Sequence, residues 1–97
     1  MTAADVPEYL KNRRDENEPK IIARVRACGG EWFSCSRHEG HDGWVLFAGR
    51  WYCCEVKNPR KKWTLTLAES QMKRKVELNG GTYYILQTAD DVDRMLE

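Results

Sequence analysis

Residues 66–81 constrain the fold of this chain more than any other stretch. Thr66-x-x-Glu69 is a capping box that starts a helix at Leu67. Leu67, Gln71, Arg74 and Leu78 then follow along one helical stripe, and Asn79-Gly80-Gly81 stops it. A strand pattern lies on each side, Trp51 to Lys57 before the helix and Thr82 to Leu86 after it. A strand, helix, strand unit over 51–86 makes its two strands parallel, because the helix carries the chain back to the end where the first strand began.

The remaining segments place that unit in a larger sheet. Trp44 to Ala48 reads as a strand and Gly49-Arg50 as a tight turn, so 44–57 is a hairpin. Glu31 to Ser36 has the aromatic and small polar character of another strand, and Arg37 to Gly43 is a loop. Upstream, Asn17 suits an N-cap and Pro19 the first turn of a helix over 18–28, with Ile21, Ile22, Val25 and Cys28 at helical spacing and Gly29-Gly30 as its stop. Thr88-x-x-Asp91 opens a last short helix through Leu96, with Val92, Met95 and Leu96 inward. The residues through Arg14 suit a further short helix with Val6, Tyr9 and Leu10 on one face. The predicted class is α/β, in the order α-β-β-β-α-β-α, with a mixed sheet flanked by helices. One domain is expected over 1–97, with 1–15 as an N-terminal extension.

Composition narrows the function classes. No apolar run in the 97 residues approaches the roughly 20 needed to cross a bilayer, and residues 1–19 lack a secretory apolar stretch, so a cytoplasmic location is expected. Cys53 and Cys54, adjacent on a strand, point to opposite faces, and reduced thiols are expected rather than a disulfide framework. Cys35-x-x-His38-x-x-His41 with Cys28 upstream admits a zinc site, although paired CxxC elements are missing. A non-catalytic, zinc-containing nucleic-acid-binding module is therefore the alternative reading. The net charge of +1 conceals a strong asymmetry. Residues 56–75 carry Lys57, Arg60, Lys61, Lys62, Lys73, Arg74 and Lys75 against Glu69 alone, a band suited to phosphates or to a solvated surface.

The chemistry centres on Asp42 and on Glu55-Val56-Lys57. Strand periodicity puts Glu55 and Lys57 on one face and Val56 on the other. Asp42, at the start of the partner strand, is placed to bring a second carboxylate beside Glu55. Two such carboxylates make a hard oxygen site suited to Mg²⁺ or Mn²⁺, and a nearby lysine can orient water or stabilise a developing oxyanion.

Asp, then Glu-x-Lys on a hairpin, followed by a basic loop and a capped helix, resembles the core of the PD-(D/E)xK nucleases. From about Glu16 to Leu96 the chain resembles their VRR-NUC family. The resemblance is carried by Glu18, Cys28-Gly29-Gly30, Gly40-His41-Asp42, Cys54-Glu55-Val56-Lys57, Leu65-Thr66 with Gln71, Asn79-Gly80-Gly81 before Tyr83-Tyr84-Ile85, and Thr88 to Leu96. It implies a restriction-endonuclease-like core and a metal-dependent DNA endonuclease. Asp42 and Glu55 would be direct metal ligands with the Val56 carbonyl as a third, and Lys57 the catalytic lysine. Glu18 would reach the metal through water, and Gln71 would position the lysine or the scissile phosphate. Arg60, Lys61, Lys62, Lys73, Arg74 and Lys75 would hold the DNA backbone. Stand-alone members resemble viral or phage homodimers acting on branched DNA such as four-way junctions, so the same is expected here, in the host cytoplasm if the source is viral. His41 stands where the family usually has proline, which would leave that loop less rigid.

Overall fold

The computed structural model describes residues 15–36 and 39–97. The short helix expected before residue 15 lies outside the described residues, as do Arg37 and His38. The described elements are α1 (Glu18–Ala27), β1 (Glu31–Ser34), β2 (Gly43–Phe47), β3 (Arg50–Val56), α2 (Leu67–Leu78), β4 (Tyr83–Leu86) and α3 (Ala89–Leu96), the order expected from sequence. They form one four-stranded mixed sheet in the order β1-β2-β3-β4. The first three strands are antiparallel and β4 runs parallel to β3, with Cys53 beside Tyr83 and Val56 beside Leu86. The crossover required by the capped helix is present.

Register decides what each face of the sheet carries. Val45 pairs with Tyr52 and Gly43 with Cys54, so these residues share a face with Val56 and its partner Leu86. That face holds the core. Ile21 and Val25 of α1 and Val92 and Met95 of α3 pack on Trp32, Val45, Cys54, Val56 and Leu86. The opposite face carries Phe33, Trp44, Trp51, Cys53 and Glu55, and α2 with the loop before β2 covers only its Glu55 end. At its other end Phe33 and Trp51 are 48% and 57% exposed and meet ring to ring at 5.4 Å.

Three local readings change. The hairpin turn is Ala48-Gly49 rather than Gly49-Arg50, since Phe47 pairs with Arg50. Ala48 has φ 51° and Gly49 φ 77°, the two positive values that a turn matching strand twist needs. Asn17 stands at the N-cap position but makes no capping bond. Its amide instead donates to the carbonyls of Lys57 at 3.0 Å and Gln87 at 2.8 Å, lashing the start of α1 to the ends of β3 and β4. Finally, the Leu67, Gln71, Arg74 and Leu78 stripe of α2 faces outward, with both leucines 74% exposed. Glu69, Met72, Lys73 and Val76 are the partly buried positions, and no residue of α2 is fully buried. The capping box itself is complete, and at the start of α3 Asp91 Oδ2 accepts the Thr88 N–H at 3.1 Å.

The loop before β2 is seated by a close approach at Gly40. The residue has φ 88°, and a Cβ there would lie 2.5 Å from the Ala68 carbonyl oxygen and 2.9 Å from the Met72 Cβ. The Tyr83 hydroxyl donates to the Gly40 carbonyl at 2.7 Å in a buried position. Gly40→Ala is expected to cost about 2–4 kcal/mol, combining left-handed backbone strain with overpacking against α2. Urea denaturation checks this, and a loss below about 0.5 kcal/mol would mean that the contact with α2 is dispensable.

Candidate functional site

Asp42 is held by β-type bonding on both sides. Its backbone N–H donates to the Cys54 carbonyl at 3.0 Å, and its own carbonyl accepts from the Cys35 N–H at 2.8 Å. Its carboxylate Oδ2 accepts from the Val56 N–H at 2.7 Å. The side chain is thereby fixed at the end of β3, beside Glu55. Glu55 points to the face opposite Val56 and is 4% exposed, while the Val56 side chain is in the core. Lys57 follows on the same face as Glu55, its backbone N–H donating to the Leu86 carbonyl at 3.1 Å.

The ammonium of Lys57 has two carboxylate neighbours. Glu69 Oε1 is the nearer at 2.8 Å, and Glu55 Oε2 lies at 3.4 Å. Glu69 Oε1 also accepts the Thr66 N–H at 2.9 Å, so the glutamate of the capping box serves both the helix start and the lysine. This convergence orders the protonation states. Burial, then the charge of Asp42 and the bond to Glu69, push the Glu55 carboxyl up to about 9. Burial opposes ionisation of Glu69 too, but the bonds from Lys57 and Thr66 outweigh it and hold Glu69 below its ordinary value. Burial also opposes the Lys57 charge, yet the Glu69 bond and the charges of Glu55 and Glu69 keep its ammonium above its ordinary value. Of the two glutamates, Glu55 therefore keeps its proton to higher pH and Glu69 is the closer charged partner of Lys57.

These groups line a hollow of about 360 Å³ together with Asp15, His41, Lys61, Lys62 and Trp63. Burial, followed by the Asp42 charge, raises the Asp15 carboxyl above its usual range. His41 is 4% exposed, with Nε2 3.1 Å from Cys35 Sγ and its ring edge-on to Trp44 at 4.9 Å. The loop is therefore anchored by burial where a proline would have stiffened it. Burial holds the imidazole below its ordinary value.

Of the residues singled out in the sequence, Asp42, Glu55, Lys57, Lys61 and Lys62 meet in this hollow. His41 also lines it, and the remaining candidates are not in its lining. Glu18, 6% exposed, sits with Ile21 and Val25 on the sheet-facing stripe of α1 and is not in the lining. Gln71 is exposed and lines a separate depression on the outer side of α2 with Lys73 and Arg74. Lys73 there pairs with Glu77 at 3.0 Å, and Lys75 is exposed. Arg60 borders a third depression with Glu16 and Lys20. The basic band is divided among three surfaces. Conversely, two residues of the hollow do not stand out in the sequence: Asp15 reads as part of a polar connection, and capping alone accounts for Glu69. A glutamate at the third position of a helix that follows a Glu-x-Lys strand is the signal that points to the second.

The donor set bears on which cation fits. Among the described residues no three His, Cys, Asp or Glu side chains form a metal cage. Two carboxylates, Asp42 and Glu55, with solvent suit Mg²⁺ or Mn²⁺, which keep several waters, far better than zinc. Half-buried Asp42 and buried Glu55, whose ionisation Asp42 opposes, would gain from a divalent charge between them. Of the zinc candidates among the described residues, Cys35 meets His41, while Cys28 Sγ donates to Asp93 Oδ1 at 3.7 Å on the α1–α3 side. All four cysteines are free thiols.

Lys61 and Lys62, exposed at the rim, are expected to act as sequence-blind phosphate contacts. Replacing both with Ala should flatten the log–log salt dependence of DNA binding by about 0.9 per lost contact, equally on unrelated sequences. A loss confined to one sequence would show base reading instead. No helix among the described residues is long and apolar enough to cross a membrane. Comparison with protein-family models, with curated proteins and with solved structures finds no match to this chain.

Proposed function

We propose that this chain is a metal-dependent nuclease that hydrolyses DNA phosphodiester bonds, on a restriction-endonuclease-like core of the VRR-NUC kind. The observation that carries the reading is the convergence of Asp42, Glu55 and Lys57 in one hollow whose rim bears Lys61 and Lys62. Asp42 and Glu55, with the Val56 carbonyl, would hold Mg²⁺ or Mn²⁺. When bound, the cation supplies charge neutralisation at the phosphate and an acidified water.

The chain's own residues do the rest. Asp42 is oriented before any ligand arrives, because the Val56 N–H fixes one of its oxygens. Glu55 gives up its proton on taking a cation, which couples binding to pH. Lys57, steadied by Glu69, presents a cation to the same hollow and stabilises negative charge gathering on the reacting phosphate. Lys61 and Lys62 hold the backbone without reading bases. In this reading Asp15 takes the place expected of Glu18 beside the carboxylate pair, and Glu69 takes the lysine-positioning role expected of Gln71.

The reading extends to branched DNA as substrate, cut by a homodimer that pairs two such sites, in a reducing compartment such as the cytoplasm. The exposed Leu67 and Leu78 on α2, and Phe33 and Trp51 on the open end of the sheet, support self-association. The test is cleavage of linear, nicked, flapped and four-way DNA with Mg²⁺, with Mn²⁺ and with chelator, alongside elemental analysis of the purified protein. Cation-dependent cutting with no stoichiometric zinc is expected. Stoichiometric zinc without cutting would favour the binding-module alternative.

A further inference from the structure

Trp63 ends the basic loop that follows β3 and forms an aromatic wall of the hollow. The residue is 37% exposed, a large apolar side chain left partly open beside charged groups. The indole N–H donates to Gln87 Oε1 at 3.2 Å, which fixes the plane of the ring, and Lys57 Nζ lies 5.8 Å from the ring centroid. The loop that carries it is built rather than slack. Asn58, 3% exposed, donates to Glu16 at 3.1 Å, accepts the Arg60 N–H at 2.9 Å through its side chain, and closes a turn to the Lys61 N–H at 3.2 Å through its carbonyl. Lys61 and Lys62 stand immediately before the ring. An oriented aromatic face flanked by two exposed lysines matches an unpaired nucleotide, whose base is flat and apolar and whose phosphates are anionic. A duplex offers its phosphates to such a site but keeps its base faces stacked away.

We propose that Trp63 is a stacking residue for an unpaired base, so that the hollow takes a single-stranded segment next to the bond it cuts. This rests on reading the hollow as the nuclease site, and it refines the substrate to nucleic acid with an unpaired nucleotide at the reacting phosphate.

The test is binding of a labelled oligothymidylate and of a blunt duplex of equal length, in chelator so that nothing is cut. Trp63→Ala is expected to weaken oligothymidylate binding by about 5- to 100-fold, as base–aromatic stacking implies, and to change duplex binding by less than about twofold. Trp63→Phe should keep most of the affinity. Trp63→Leu, which keeps apolar bulk without a π-face, should behave like the alanine variant and serves if that variant folds poorly. Equal losses on both DNAs, no loss on either, or full affinity in the leucine variant would overturn the proposal. Mg²⁺-dependent cleavage by the wild type is scored separately, so a failed nuclease reading with intact stacking is distinguishable from the reverse.

Discussion

Lys57→Ala is expected to lower Mg²⁺-dependent cleavage by at least about 10²- to 10³-fold, the range seen when one preorganised charge-stabilising donor is removed, while DNA binding changes by less than about threefold. The split follows from position. Lys57 lies inside the hollow, paired with Glu69 and close to Glu55, whereas Lys61 and Lys62 are the exposed cations that would meet a DNA backbone in the proposed reading. Its loss therefore falls on the reacting phosphate and spares capture of the duplex. Single-turnover cleavage beside equilibrium binding in chelator checks it. Activity within about tenfold of the wild type, or wild-type cutting that survives chelator, would sink the mechanism.

The second large effect is on stability. In chelator, Glu55→Gln is expected to stabilise the fold at pH 8 by about 1–3 kcal/mol, a rise of about 4–8 °C in Tm for each kcal/mol, while abolishing cation-dependent activity. Burial and Asp42 push the folded-state Glu55 up to about 9, far above the ordinary 4.5. A raised carboxyl contributes stability that is fully present below the ordinary value and is lost as pH rises through the folded one. The wild type must therefore weaken between about pH 4.5 and 9, where the unfolded chain has released a proton that the folded chain retains. Glutamine carries no such burden and still donates toward Glu69. The gap between the two proteins should close toward pH 5, and saturating Mg²⁺ should raise the Tm of the wild type alone. A variant less stable than the wild type at every pH would contradict this account of the Glu55 environment.

Sequence and structure agree where the information is local. The capping boxes at Thr66 and Thr88, the glycine stops and the strand alternation are statements about neighbours a few residues apart, and each element they imply is present. The pairing of Asp42 with Glu55 was legible for the same reason, because one hairpin sets it. What was not legible depends on tertiary placement. Leu67 and Leu78 mimic a core stripe, but the crossover turns Met72 and Val76 toward the sheet instead. Asn17 has the residue type of a cap, yet two carbonyls at the strand ends take its amide. Asp15 reads as part of a polar connection until α1 is seated against β3, and His41 reads as a solvated loop histidine until Trp44 and Cys35 enclose it.

The parallel pairing of β3 with β4 has a consequence for the order of assembly. The β2–β3 hairpin closes through a two-residue turn, so Asp42 and Glu55 meet through contacts of short range. The Lys57 N–H reaches the Leu86 carbonyl only after residues 58–85 have looped back, and α2 within that loop buries no residue completely to offset the closure entropy. Contacts of such long range are the slow ones in small domains. Asp42 and Glu55 are thus expected to meet before the crossover docks, and Glu69 and β4 to join them only with it.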